Sequence, residues 1–508
     1  PPCPMKHLSL ALLLTFLCIS SSAQYFPKLT YQRFFDNFGV DDPQCLIKAT
    51  DDHLIIGGNT VTNENKDDGC TSIWIIKVDT LGDMIWEQEI ALSGCEAIRD
   101  IAATADGGGI FVGVTSSLIQ HEENGDETYW GDYFVGKFDG NGIIEWLESY
   151  GGSELDQAFA ISEGREASYV ILGGAHSSDG DVAQNNGMSD IWALKIDTKG
   201  NPQFQKVMGD IGTEWASSVT TCRNGDYLIA GYTNSASWAQ ARMSSRGGGL
   251  IMRLDSTGKE KWRKVFSCPQ GGYFSDVRES ITQRIVIAGN YLSEHTGYDF
   301  WWLILDKDGK QVAEYKPDFS QNEYLTSIAL CQDGGFIFGG YSTPRGKIGT
   351  LNKGLDDFWM IRTDTKGRTV WQDTYGGPNN ERCSDLIEYR KGVYFAIGQK
   401  LNDFSEDKEG DEDFWMVKIE ELPTDSIEAD IFIRAKNYKV DRLVPTRFRA
   451  KYKYGDRFLW EFGDGTTSTE EQPLKAFQLS GVYEVKLTVF VNETCQQTVK
   501  LPRKVEVW

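Results

Sequence analysis

The sequence predicts an all-β chain in which a radially repeated domain is followed by a separate β-sandwich, on three observations. A unit Asp-Xaa-Xaa-Gly-Xaa-Xaa-Xaa-Trp recurs as Asp79…Gly82…Trp86, Asp139…Gly142…Trp146, Asp255…Gly258…Trp262 and Asp364…Gly367…Trp371. Related copies are Asp197…Gly200…Phe204 and Asp306…Gly309, and the Asp positions advance by 60, 58, 58, 51 and 58 residues. A period of that size, made of strands and tight turns, belongs to sheets arranged around an axis. Second, a short apolar strand ending in Gly returns seven times: 54–58, 110–113, 170–174, 228–231, 285–289, 336–340 and 394–398. Third, the repeat stops after Glu420-Glu421, and a stretch of different composition follows.

Each repeat divides into four strands, A to D. In the second, A lies near Ile98–Thr104 and B near Gly109–Val114, joined by a turn at Asp106-Gly107-Gly108; C spans Tyr133–Asp139 and D Ile143–Tyr150, joined at Gly140-Asn141-Gly142. Glycines supply the positive φ of such turns, and the strands are aromatic and β-branched as half-buried sheet requires. Strand C occurs seven times, ending with Asp413-Phe-Trp415-Met-Val-Lys418, but D follows C only six times. The missing D strand stands at the other end, as Leu29–Phe35. The prediction is a seven-bladed β-propeller over 24–421, closed by its N-terminal strand, which hides the sheet edges.

The Asp-Gly-Trp unit then needs no chemistry. Gly makes the C–D turn, Asp bonds its own turn, and Trp packs between neighbouring blades. The A–B and C–D connections are tight, whereas the B–C loops are long and dissimilar (59–72, 115–131, 175–189, 233–248, 291–298, 341–356 and 400–412). These share one face with the D–A loops, and function on rigid scaffolds concentrates in such loops. The candidate ligand residues are therefore Trp130, Trp215, Trp238, His176, His295 and Tyr324, against the plainer reading of ordinary loops with aromatics tucked inward.

Residues Met5–Ala23 have a basic start, an apolar run from Leu8 to Ile19 and small residues before Gln24. That pattern reads as a secretory signal peptide over 1–23, with Pro1–Pro4 upstream of the true start; Phe16-Leu17 before Cys18 argues against a lipobox. The run is shorter than the roughly 20 apolar residues of a membrane span, and no later stretch is long enough. The expected location is outside the cell or in the periplasm. Formal charge is −23, yet residues 425–508 carry 14 Lys/Arg against 12 Asp/Glu, so the deficit lies in the repeats. Such a surface repels nucleic acid and anionic membranes. Besides Cys3 and Cys18 there are eight cysteines without zinc-like spacing; disulfides are permitted outside the cytoplasm, and their pairing stays open.

After a linker at 422–426, the segment 427–508 contains Trp460-Glu-Phe462-Gly463-Asp464-Gly465 and Gly481-Val-Tyr483-Glu-Val-Lys-Leu-Thr-Val489. It closely resembles the PKD domain, whose WxFGDG and GxYxVxLxV motifs it carries. The resemblance implies a small immunoglobulin-like β-sandwich with Trp460 and Tyr483 as core residues, acting as a spacer or contact module. The repeats resemble the exported Trp/Gly-rich propeller proteins of the Bacteroidota, often found beside PKD domains. Many of those end in a sorting domain; here Val505–Trp508 reads as the last PKD strand, so surface and periplasm both remain expected locations.

Metal and catalytic chemistry are thinly supplied. Asp179, Asp181, Asn185 and Asp190 offer oxygens of the type Ca²⁺ takes, although the EF-hand's Gly and Glu are missing and Asp-Gly-Asp is also a good turn. The acidic run Asp403–Asp413 reads as a solvated charge cluster. The repeat unit is similar to that of quinoprotein dehydrogenases, but those have eight blades and a quinone pocket. Only His53, His121, His176 and His295 follow the leader, with no HExxH or GxSxG motif; paired carboxylates for glycoside hydrolysis stay open. The expectation is a non-catalytic exported binding or scaffold protein without a cofactor other than the Ca²⁺ candidate. Its partner is a protein or glycan at the cell surface, and its oligomeric state is open. The alternatives are a carbohydrate-binding or polysaccharide-active protein and a periplasmic outer-membrane assembly factor.

Overall fold

The computed structural model describes residues 25–508 except 38, 62–69, 93, 121–126, 239–245, 269, 294–296, 317–321, 344–353, 402–411, 424–427, 434, 454, 456 and 491–495, and gives only the backbone at 25, 117–120, 127–130, 428, 436 and 453. The signal segment, Cys495, His121, His295 and most of the acidic run therefore lie outside the described residues. Contacts divide the chain between Glu421 and Leu422, into Pro27–Glu421 and a unit that takes in Leu422–Trp508.

The first unit holds seven four-stranded antiparallel sheets. Six run in chain order, for example Val40–Lys48, Leu54–Val61, Ser72–Val78 and Met84–Ile90. The seventh is assembled from both ends: Tyr25–Phe35 pairs with Glu412–Pro423, followed inward by Val393–Leu401 and Glu381–Arg390. Closure by the N-terminal strand thus holds, and Trp415 Nε1 donates to Gln32 Oε1 across it at 3.2 Å.

One boundary differs from the expectation. The second blade's B–C connection, expected as a loop over 115–131, is mostly hairpin: Gly109–Gln120 pairs with Glu127–Phe138 out to Gln120↔Glu127. The β-branched and aromatic residues there (Thr115, Ile119, Thr128, Tyr129, Trp130) extend the ladder, as their β preference favours.

The turn units do what their residue types suggest. Gly142 and Gly367 have φ of 83° and 84°, a conformation that costs an L-residue roughly 1–2 kcal/mol. Asp139 Oδ1 accepts the Asn141 and Ile143 N–H groups at 2.8 and 3.0 Å, and Asp306 and Asp364 repeat the pattern. The aromatic reaches the next blade: Trp86 Nε1 donates to Gly140 O at 3.0 Å and Trp146 Nε1 to Thr198 O at 3.2 Å; in the copy with Ala313 at that position, the hydroxyl of Tyr315 two residues on donates to Lys366 O at 2.8 Å. A disulfide joins Cys70, before strand C of the first blade, to Cys95, which opens strand A of the second; Cys45, Cys222, Cys268, Cys331 and Cys383 are buried thiols.

In the second unit Trp460 is fully buried among Phe448, Phe462, Leu487 and Val505, and its Nε1 donates to Glu470 O at 2.9 Å. Tyr483 stacks on Phe477 at 4.8 Å. Gly463 and Gly465 sit at φ 78° and 87° around Asp464, which pairs with Lys475 at 2.6 Å. Three small sheets complete the sandwich, one pairing Arg457–Glu461 with Lys486–Phe490.

Candidate functional site

The seven A strands line the central channel, and each carries the same irregularity. The register skips one residue at Gln44, Arg99, Phe159, Ser217, Ser275, Thr326 and Ser384. Such β-bulges bend a strand and re-aim side chains. Two positions before each bulge stand Asp42, Ala97, Gln157, Trp215, Tyr273, Tyr324 and Arg382, which form a ring at the mouth on the B–C loop side. The glycine closing strand B fixes that ring: a Cβ on Gly231, Gly289 or Gly340 would lie 2.0, 2.0 or 1.9 Å from the carbonyl oxygen of Trp215, Tyr273 or Tyr324. Only a bare backbone admits so close an approach.

Three consecutive blades therefore present Trp215, Tyr273 and Tyr324 in one register, all half-buried. Two of them are held by other rings: Trp215 stacks on Tyr232 at 4.1 Å, and Tyr324 on Tyr341 at 4.9 Å with Tyr298 at 5.4 Å. Exposed Arg382 follows on the next blade, its guanidinium 5.3 Å from the Tyr341 ring and paired with Asp356 at 2.6 Å.

Just beyond the bulges, Asp100, Asp276 and Asp385 stitch neighbouring blades together by accepting the N–H of Ile161, Ile328 and Leu46 at 2.8–2.9 Å. Burial pushes Asp100 up to about 7 and Asp385 to about 6, and raises Asp276 despite its ion pair with Arg278. The channel they line encloses about 600 Å³.

A second cavity, of about 560 Å³, opens at the mouth across blades one to four; His176, Trp215, Phe159, Gln157, Gln44 and Arg99 line it. Two expected residues, His176 and Trp215, thus share one cavity, and Tyr324 lies on the same ring. Trp238 goes elsewhere: it packs on the core between blades three and four, with the Arg263 guanidinium 4.0 Å from its ring. The backbone of Trp130 pairs with Ser117 in the extended hairpin; its side chain, and all of His295, lie outside the described residues. The sequence reading missed Tyr273, Arg382 and Arg99. A usable signal exists in the buried acid that opens most A strands (Asp41, Glu96, Asp156, Glu214, Glu323, Glu381), since the next residue is the ring member.

The four candidate Ca²⁺ ligands are each engaged in holding their loop. Asp179 Oδ1 accepts Ser153 N–H at 2.7 Å, Asp181 Oδ2 accepts Gly151 N–H at 3.2 Å, and Asp190 Oδ2 accepts Asn186 N–H at 2.7 Å. Asn185 turns its amide nitrogen to the carbonyls of Ala175 and His176 at 3.1 and 2.8 Å. Among the described residues, the acidic trio whose oxygens lie within 4.8 Å of one another is Asp36, Asp41 and Asp413, at the closing junction.

Residues 445–505 match the PKD domain family. A curated relative, Regulatory protein FlaEY of Caulobacter vibrioides, is 25% identical over 188 residues, 35% of this chain; the chain spans 19% of that protein's length. Similar solved structures include the Pan2 WD40 domain of Neurospora crassa (12% identity, TM-score 0.47, 78% of this chain and 96% of that one). A Dyadobacter fermentans protein of unknown function gives 11% identity and a TM-score of 0.44 over 78% and 99% of the two chains. The PQQ-bound aldose sugar dehydrogenase of Streptomyces coelicolor gives 12% and 0.35 over 79% and 99%. The fold itself rests on the strand topology: this chain is a seven-bladed β-propeller followed by a PKD domain.

Proposed function

We propose that this chain is a non-catalytic exported binding or scaffold protein whose propeller presents a ligand face at the channel mouth, with the PKD domain as spacer or second contact. The observation that carries the reading is the arc of Trp215, Tyr273 and Tyr324. Half-exposed aromatics, two of them stacked on other rings, give contact area at low entropy cost, the property binding surfaces select. The opposite face consists of tight turns. The PKD domain is typical of extracellular proteins, and among the described residues no helix is long and apolar enough to cross a membrane. Export agrees with the leader-like segment and the Cys70–Cys95 bridge.

The test immobilises the full mature chain and offers it an envelope fraction. A mouth variant, Tyr273→Ala with Tyr324→Ala, should lose the retained ligand, while a turn-face variant, Lys199→Ala, keeps it. Equal retention by both variants would overturn the reading.

A further inference from the structure

We infer that the cavity beside Trp215 is a subsite for a carboxylate-bearing sugar ring, with Arg99 as the group that selects the acid. The inference rests on the reading of the mouth as a ligand face and names the ligand class.

The cavity combines three kinds of surface. Trp215, backed by Tyr232 at 4.1 Å, and Phe159 supply apolar ring faces. A hexose ring carries C–H bonds on one face and hydroxyls around its edge, so it can lie on an indole and direct its oxygens sideways. Gln157, Ser189 and Thr213 line the walls where such hydroxyls would fall. Gly174 leaves bare backbone in the lining, so no side chain fills the space in front of Trp215. A volume of about 560 Å³ suits one or two sugar units, within the roughly 300–1,000 Å³ of small-molecule sites.

Arg99 makes the site selective. It is half-buried, and among the described residues it has no ion pair; its guanidinium donates to Gln44 Oε1 at 3.4 Å. Asp42 feels the charge of Arg99 without bonding it, and its Oδ2 accepts from the other end of the same amide, Gln44 Nε2, at 2.6 Å. Asp100, the next residue, is turned to the Ile161 and Ile101 N–H groups. Arg99 is thus a half-buried cation that faces Asp42 through space, while no carboxylate among the described residues closes its guanidinium fork. A carboxylate satisfies the guanidinium fork through two parallel hydrogen bonds, which a neutral sugar cannot reproduce. Exposed His176, its Nδ1 fixed on Leu155 O at 2.8 Å, keeps Nε2 for a further contact.

The experiment is a glycan array that carries uronic-acid, sialic-acid and neutral glycans, probed with the full mature chain and followed by calorimetry on the best binder. Binding confined to carboxylated glycans is expected. Arg99→Gln should lower that affinity at least about 10-fold, Arg99→Lys should keep the acid preference with weaker affinity, and Trp215→Ala should abolish binding. His176→Ala, on an exposed side chain, gives a milder loss and guards against a misfolded tryptophan variant. Neutral glycans bound as well as acidic ones, or binding indifferent to Arg99→Gln, would overturn the acid assignment. No glycan binding, with an envelope protein still captured through Tyr273 and Tyr324, would sink the inference and leave the ligand face standing; capture of nothing would sink both.

Discussion

On the turn face of the propeller, Asp51, Asp106, Asp226 and Asp333 each lie against a buried cation: Lys77 at 2.7 Å, Lys137 and Arg253 at 2.8 Å, and Arg362 at 2.6 Å. At the mouth and in the channel, Asp41, Asp42, Asp100, Asp132 and Asp385 are buried or half-buried without such a partner among the described residues, and burial lifts all five to about 6 or 7. Burial also works against ionisation at Asp51 and Asp106, but the lysine bonds overcome it and hold both near 2. The same residue type is thus locked and charged on one face, and poised between charge states on the other. The turn face spends its acids on ion pairs, whereas the mouth keeps half-buried rings and acids in a protonatable state.

The largest effect that should separate the faces is collective. Between pH 4 and 7 the unfolded chain has released protons that the raised aspartates still hold, so their contribution is full below pH 4 and lost as pH rises through 6 to 7. Summed over these groups the change is on the order of several kcal/mol. The turn-face aspartates act oppositely, and their contribution is lost only as pH falls from 4 towards 2. The melting temperature should therefore peak near pH 4–5 and decline towards pH 7; a plateau over pH 5–8 would contradict the assignment.

Gly231→Ala should come next. Its Cβ meets the Trp215 carbonyl at 2.0 Å, so overpacking should cost about 3 kcal/mol in denaturant unfolding and displace the mouth ring. Replacing Cys70 and Cys95 together by Ser removes a cross-link closing 25 residues, worth about 3 kcal/mol in the same measurement. Gly142→Ala on the turn face forces an L-residue to φ 83° against Trp86, a loss of about 1–2 kcal/mol with ligand binding unchanged. Tyr324→Ala should be the mildest, about 1 kcal/mol from two lost ring contacts, yet it should reduce binding. That reversal of rank between stability and binding is what the two-face account requires.

Much of this was legible in the sequence, for physical reasons. Gly-Asp turns and aromatic strands leave local signatures, so the seven B strands, the six downstream D strands and the closing strand at Leu29–Phe35 could be counted directly. Trp86 and Trp146 were placed between blades because their repeat position allows little else. The mouth ring was harder, because it is set by a β-bulge, and a bulge is a property of pairing between strands. Trp215 and Tyr324 are visible in the sequence as aromatics near loops, whereas Arg382 needs the register that the buried acid marks, and Tyr273, which follows Gly272, shows only through the bulge. Arg99 gives no signal in the sequence, since its neighbours Gln44 and Asp42 come from another blade. Trp238 was misplaced because a loop tryptophan can fold back onto the core, as it does beneath Arg263.

The most direct test of the ligand face is site-specific photo-crosslinking in intact cells, with the reactive side chain placed at Tyr324 in one variant and at Lys199 in the other. Adducts from position 324 and none from position 199 are the predicted result. Adducts from position 199 alone, or equally from both, would contradict it.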